Sequence, residues 1–123
     1  MNEHTFACRD DTTGLINVWD VHQLWEFVKE LPECVESIIP LVQALSEHFN
    51  EYGLDDWSRV VQADLSYPII IYGNYCIMDG CHRIAKVMLS GQLGIKVVRL
   101  NELPSPIKTY SEWIYYHLDY PPL

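Results

Sequence analysis

Asp79-Gly80-Cys81-His82-Arg83, followed three residues later by Lys86, is the stretch of the chain best equipped for chemistry. The residues before it, Tyr75-Cys76-Ile77-Met78, read as a strand. Those after it, Ile84 to Leu89, read as a strongly apolar helix. The chemical residues therefore fall where a strand stops and a helix begins. First-turn N–H groups of a helix have no intrahelical acceptor and carry the positive end of the helix dipole, which makes such a turn an anion site. Gly80 is expected to let a phosphate approach the backbone without a Cβ in the way. Arg83 can fork onto phosphate oxygens, and His82 adds a donor whose charge changes near neutral pH. Lys86, one turn further on, can help neutralise charge. Asp79 can serve as a Mg²⁺ ligand or as a general base. Cys81, at a helix start beside an arginine, is a candidate nucleophile. It reads slightly better as a compact first-turn residue without chemistry. The bland alternative for Arg83 is a structural ion pair with Asp79. Asp64 and Ser66 precede the apolar Ile69-Ile70-Ile71 run and are expected to reach the same pocket.

These groups need a scaffold, and the composition supplies an ordinary one. A chain of 123 residues, 49% hydrophobic and 20% charged, suits a single globular domain over 1–123. No stretch approaches the roughly 20 apolar residues of a membrane span. Residues 1–11 hold no apolar core of a secretory signal. A formal net charge of −9, with eight Lys and Arg in no cluster, argues against nucleic-acid wrapping, so DNA is not an expected partner. Four cysteines without a signal segment read as reduced thiols, and cytoplasmic residence follows as the expectation. The spacing of Cys76, Cys81 and His82 matches no zinc module. The scattered acids read as a solvated face or as a surface for a basic protein partner.

The elements follow from pattern. Residues 1–14 are polar and expected to be partly mobile. Leu15 to Val18 predicts a short strand. Asp20 with Gln23 three residues later has capping-box spacing, and Val21, Leu24, Trp25, Val28 and Leu31 follow at helical spacing until Pro32. A second helix is predicted from Pro40 to Tyr52, with Leu41, Leu45, His48, Phe49 and Tyr52 on one face and Gly53 at its end. A third begins near Asp55 or Asp56 and carries Trp57, Val60 and Val61. Residues 68–78 read as a hairpin turning at Gly73-Asn74, with the isoleucines covered on both faces. Gly91 suits the end of the helix that starts after Gly80. Ile95 to Leu100 is a further strand. Thr109 and Glu112 are spaced as a second capping box, ahead of a last helix with Tyr110, Trp113, Ile114 and His117. The four tryptophans are expected to fill the core, one of them free to stack a base. The fold class is α+β: a small mixed sheet with helices packed on it.

The run Tyr-Pro-Ile-Ile-Ile … Ile-Met-Asp-Gly-Cys-His-Arg-Ile-Ala-Lys … Gly … Ile-Lys-Val-Val resembles the ParB/sulfiredoxin superfamily over residues 64–100. The resemblance implies a phosphate loop between strand and helix, and a nucleotide ligand (ATP, ADP or CTP) with Mg²⁺, or another small phosphorylated ligand. Three activities are compatible with it. Free-serine kinases carry an Asp-Gly-His-His-Arg loop, which makes a nucleotide-dependent phosphotransferase or hydrolase the leading expectation, with Asp79 as metal ligand or base. Sulfiredoxins carry Gly-Cys-His-Arg, which matches residues 80–83 and would make Cys81 the catalytic thiol. Partition proteins carry Gly-Glu-Arg-Arg and a downstream DNA-binding domain. A non-catalytic ligand-binding or protein-interaction module is the remaining alternative.

Overall fold

Seven strands and five helices make up the described residues of the computed structural model, 5–73 and 76–117. They divide into two compact units. One comprises the described residues up to Glu30 together with those from Leu103 onward; the other runs from Leu31 to Glu102. The class is mixed α+β, with one small sheet in each unit. No helix among the described residues is long and apolar enough to cross a membrane.

The 31–102 unit carries the sequence stretch of interest. Its sheet is built from β3 (Cys34–Ser37), β4 (Ile69–Tyr72), β5 (Cys76–Asp79) and β6 (Gly94–Leu100), in the order β3-β6-β4-β5. Strands β4 and β6 are parallel; the other pairs are antiparallel. Two parallel strands cannot be joined by a tight turn. The chain instead passes through β5 and helix α4 (Cys81–Leu89) before returning as β6. Ile69, Ile70 and Ile71 are completely buried, so β4 is covered on both faces, as its uninterrupted β-branched run requires. Helices α2 (Ile39–Asn50) and α4 contribute Leu41, Ile84 and Val87 to a cluster with Ile69, Ile71, Ile95 and Val97. Leu45 and Phe49 flank this cluster, as the helical spacing of α2 predicts. Helix α3 (Leu54–Gln62) starts just after Gly53, whose N–H donates to the Asp56 carboxylate at 3.2 Å. Gly73 turns the hairpin at φ +66°; the expected turn partner Asn74, and Tyr75, lie outside the described residues.

In the other unit, β1 (Thr5–Arg9), β2 (Ile16–Asp20) and β7 (Lys108–Tyr110) form an antiparallel sheet with β2 in the centre. Residues 5–9, part of the 1–14 stretch expected to be partly mobile, form strand β1 against β2. Phe6, Ala7 and Cys8 make this part of the stretch less polar than its surroundings. Asp20 caps α1 (Val21–Val28), accepting from the His22 N–H at 2.9 Å. Gln23 does not complete the expected capping box, because its side chain donates to the Ser105 carbonyl at 2.8 Å. The second expected capping box is also absent. Thr109 lies in β7 opposite Asn17, where its hydroxyl bonds the Asn17 side chain at 2.9 Å. Ser111 caps the short α5 (Glu112–Tyr116) instead. A β-branched residue is as suited to a strand edge as to a helix cap, and the free edge of β2 decides between them. Trp19 is buried, but Trp113 is largely exposed and stacks on His117, contrary to a core role.

Candidate functional site

Met78 anchors the end of β5 in the core, and Asp79 closes the strand opposite Ile70. Gly80 then takes φ +119°, a conformation that side-chain-bearing residues avoid, and α4 begins at Cys81. Gly80, at the cap position, has no side chain of its own to cap this helix start. The Gly80 position has a second constraint. A Cβ there would lie 2.4 Å from Ile69 Cγ2 and 2.8 Å from Ile69 Cβ. The side-chain direction of residue 80 thus points at the central strand, and glycine is needed for that close approach. That approach by itself accounts for a glycine here, beside the phosphate access expected from sequence.

Arg83 lies in the first turn of α4 with its side chain 17% exposed. Its Nη2 donates to Asp79 Oδ2 at 3.2 Å and to the Pro68 carbonyl at 3.2 Å. The structural pair foreseen for Arg83 and Asp79 therefore exists, and it ties the α4 start to the base of the β4–β5 hairpin. His82 Nε2 lies 3.2 Å from Asp56 Oδ1, and the Tyr52 ring packs against the imidazole with centroids 5.3 Å apart. The hydrogen bond to His82, followed by that from the Gly53 N–H, holds the Asp56 carboxyl below its ordinary value. Tyr52 also contacts His48, Phe49 and Trp57 edge-on. Burial, with the Cys81 and Asp56 charges adding, raises its phenol above the ordinary range.

Lys86 is placed elsewhere. Its ammonium donates to the Val61 carbonyl at 2.8 Å and the Ala63 carbonyl at 2.7 Å. It thereby supplies donors to the C-terminal end of α3, where carbonyls lack intrahelical partners and the dipole favours a cation. Asp64 accepts from the Ser66 N–H at 2.9 Å and the Ser66 hydroxyl at 2.7 Å. These bonds, with the more distant Lys86 and Arg83 charges, lower its carboxyl from the ordinary value. Asp64 and Ser66 are thus bonded to each other. It is their neighbours Leu65 and Tyr67 that line a cavity of about 140 Å³ reached by Arg83.

Cys81 is half-buried. Burial, and then the Asp79 charge, push its thiol up to about 11, outweighing the lowering effect of Arg83. Cys8 and Cys34 are exposed, and Cys76, expected in the core, is half-buried. No group of three or more His, Cys, Asp and Glu side chains is arranged to hold a metal among the described residues. Asp79 could contribute one carboxylate to Mg²⁺, with ligand phosphates and water completing the shell.

Sequence reasoning gathers Asp79, Gly80, Cys81, His82 and Arg83 by adjacency alone, and the loop holds them together. It does not find Asp56 or Tyr52 as partners of His82, because contacts 26 and about 30 residues away leave no local pattern. Comparison of the chain with family models, curated proteins and solved structures returns no significant match to any of them.

Proposed function

We propose that residues 64–100 form a ParB/sulfiredoxin-type unit whose α4 start binds the phosphate of a nucleotide or other small phosphorylated ligand, in a cytoplasmic setting. The observation that carries this reading is the junction itself: β5 ends, Gly80 turns at φ +119°, and α4 opens at this glycine, which has no side chain to cap it, with Arg83 in the first turn. A phosphate over the first-turn N–H groups would draw the Arg83 guanidinium from Asp79, since a doubly charged oxyanion is the stronger partner. Asp79 would then be released toward Mg²⁺ or an attacking hydroxyl. Binding without turnover needs only the first of these steps and is the simplest reading. Phosphoryl transfer needs both. The thiol-enzyme reading has the least support. With a thiol near 11, only about one Cys81 in ten thousand would be thiolate at pH 7.

Thermal shift against ATP, ADP, CTP, GTP and inorganic phosphate, with and without Mg²⁺, tests binding. A ligand at 100 times its Kd should add about 2.7 kcal/mol of stability. The shift should vanish in Arg83→Ala, judged against that variant's own baseline. Product formation by the bound nucleotide, abolished in Asp79→Asn, would establish transfer. If no phosphate compound shifts the wild type, the binding reading fails. A protein-interaction module then leads, a reading favoured by the ties that already hold Arg83, His82 and Lys86 to their own chain.

A further inference from the structure

The cavity of about 140 Å³ in the 31–102 unit borders the α4 first turn through Arg83 but differs from it in chemistry. Its walls are mostly apolar, with Leu65 from the segment before β4, Val87 from α4, Ile95 from β6 and Val35 from β3, and the polar Gln92 joins them. Gly94 keeps one wall thin, because a Cβ there would come within 2.8 Å of Val35 Cγ1. Two cations join these walls, Arg83 and Lys96. Lys96 is exposed, its ammonium reaches the Ser66 carbonyl at 3.5 Å, and it forms no ion pair among the described residues. Tyr67, 57% exposed, offers an aromatic face beside them.

Charge and size together narrow the occupant. Arg83 is paired with Asp79 and has the Asp64 carboxylate in its field, so Lys96, which forms no ion pair among the described residues, is the cation left to meet an anion. One charge suits a monoanion and not a pyrophosphate. A volume of about 150 Å³ is enough for a benzene-sized group. We infer that this cavity binds a small monocarboxylate with a compact apolar body, such as an aromatic or branched-chain acid, its carboxylate toward Lys96 and Arg83 and its hydrocarbon among Leu65, Val87 and Ile95. The site shares Arg83 with the phosphate reading but does not depend on it.

The test uses the full chain and two pairs of probes, benzoate against benzyl alcohol and 3-methylbutanoate against 3-methylbutanol, titrated by NMR or calorimetry. Each acid should bind at least tenfold more tightly than its alcohol. Lys96→Ala should remove most of that preference, and Lys96→Arg should restore it. Lys96 is exposed, so neither variant should disturb folding. Inorganic phosphate binding, where present, should be unchanged in Lys96→Ala, which separates this site from the α4 start. Equal binding of acid and alcohol, no binding of either acid, or an acid preference unchanged in Lys96→Ala would each overturn the inference.

Discussion

The two sheets of this protein distribute burial differently. In the 31–102 unit, β4, β5 and β6 all place residues in the interior, and β4 contributes three consecutive ones. In the other unit only the central β2 does so; β1 and β7 have no fully buried residue. The first sheet is held by side-chain packing, so tight that the Ile69 side chain leaves no room for a Cβ at Gly80. The second is held more by ladder hydrogen bonds and a few polar cross-links, such as Thr109 to Asn17 and Trp19 Nε1 to the Pro104 carbonyl at 2.8 Å. A packed sheet punishes added atoms, whereas a ladder-held sheet punishes lost hydrogen bonds.

Gly80→Ala should show the largest effect. Left-handed strain of about 1–2 kcal/mol and overpacking against Ile69 of about 1–3 kcal/mol together predict a loss near 3 kcal/mol. Gly73→Ala separates the two causes. Its φ is +66°, but among the described residues nothing lies within 4 Å of an added Cβ, so it should cost only the strain. Urea denaturation of both variants checks this. Equal losses would mean that the approach to Ile69 yields easily and that the packed sheet is looser than its burial suggests.

Trp19→Phe probes the other sheet and should cost about 2 kcal/mol. The ring volume shrinks, and the Pro104 carbonyl loses its indole donor. A loss well above that of Gly80→Ala would reverse the contrast between the sheets.

The same contrast governs what could be read from the sequence. The Ile69–Ile71 run, the Gly80 break, the apolar α4 and the closing Gly91 are local signals, and the structure contains each of them. Strand β3 was not legible, because Cys34-Val35-Glu36-Ser37 is short, largely exposed and ordered only by pairing with β6, about 60 residues away. Strands β1 and β7 are similar cases: their partner β2, not their composition, makes them strands. At the candidate site, the chemical residues were legible as a string. Their commitments were not. Lys86 looks like a phosphate ligand until α3 brings the Val61 and Ala63 carbonyls to it.

A smaller effect, set by pH, concerns the edge of the packed sheet. Glu36 on β3 accepts from Arg99 Nε and Nη2, each at 2.7 Å. The Arg99 hydrogen bonds hold the Glu36 carboxyl below its ordinary value of 4.5, against the raising effect of burial. A carboxyl whose folded value is depressed stabilises the protein fully above its unfolded value and loses that contribution as pH falls through the folded one. The pair is partly exposed, so its worth is about 1 kcal/mol after screening. Stability measured from pH 6 downward should therefore decline below about 4.5, and Glu36→Gln should flatten part of that decline. An unchanged slope would show that Glu36 is no cross-link of this edge.

Lys86→Met should have the smallest effect on stability, and it bears most directly on the candidate site. The methionine keeps the apolar stem and removes the ammonium from the Val61 and Ala63 carbonyls. Water can replace the donor at this partly exposed helix end, so the loss should be about 0.5–1 kcal/mol. If Lys86 serves only α3, phosphate-induced thermal shifts should be as large in Lys86→Met as in the wild type. If those shifts fall while baseline stability holds, Lys86 leaves α3 for the ligand. The α4 start would then be a site that rearranges on binding, not one whose cations hold fixed structural positions.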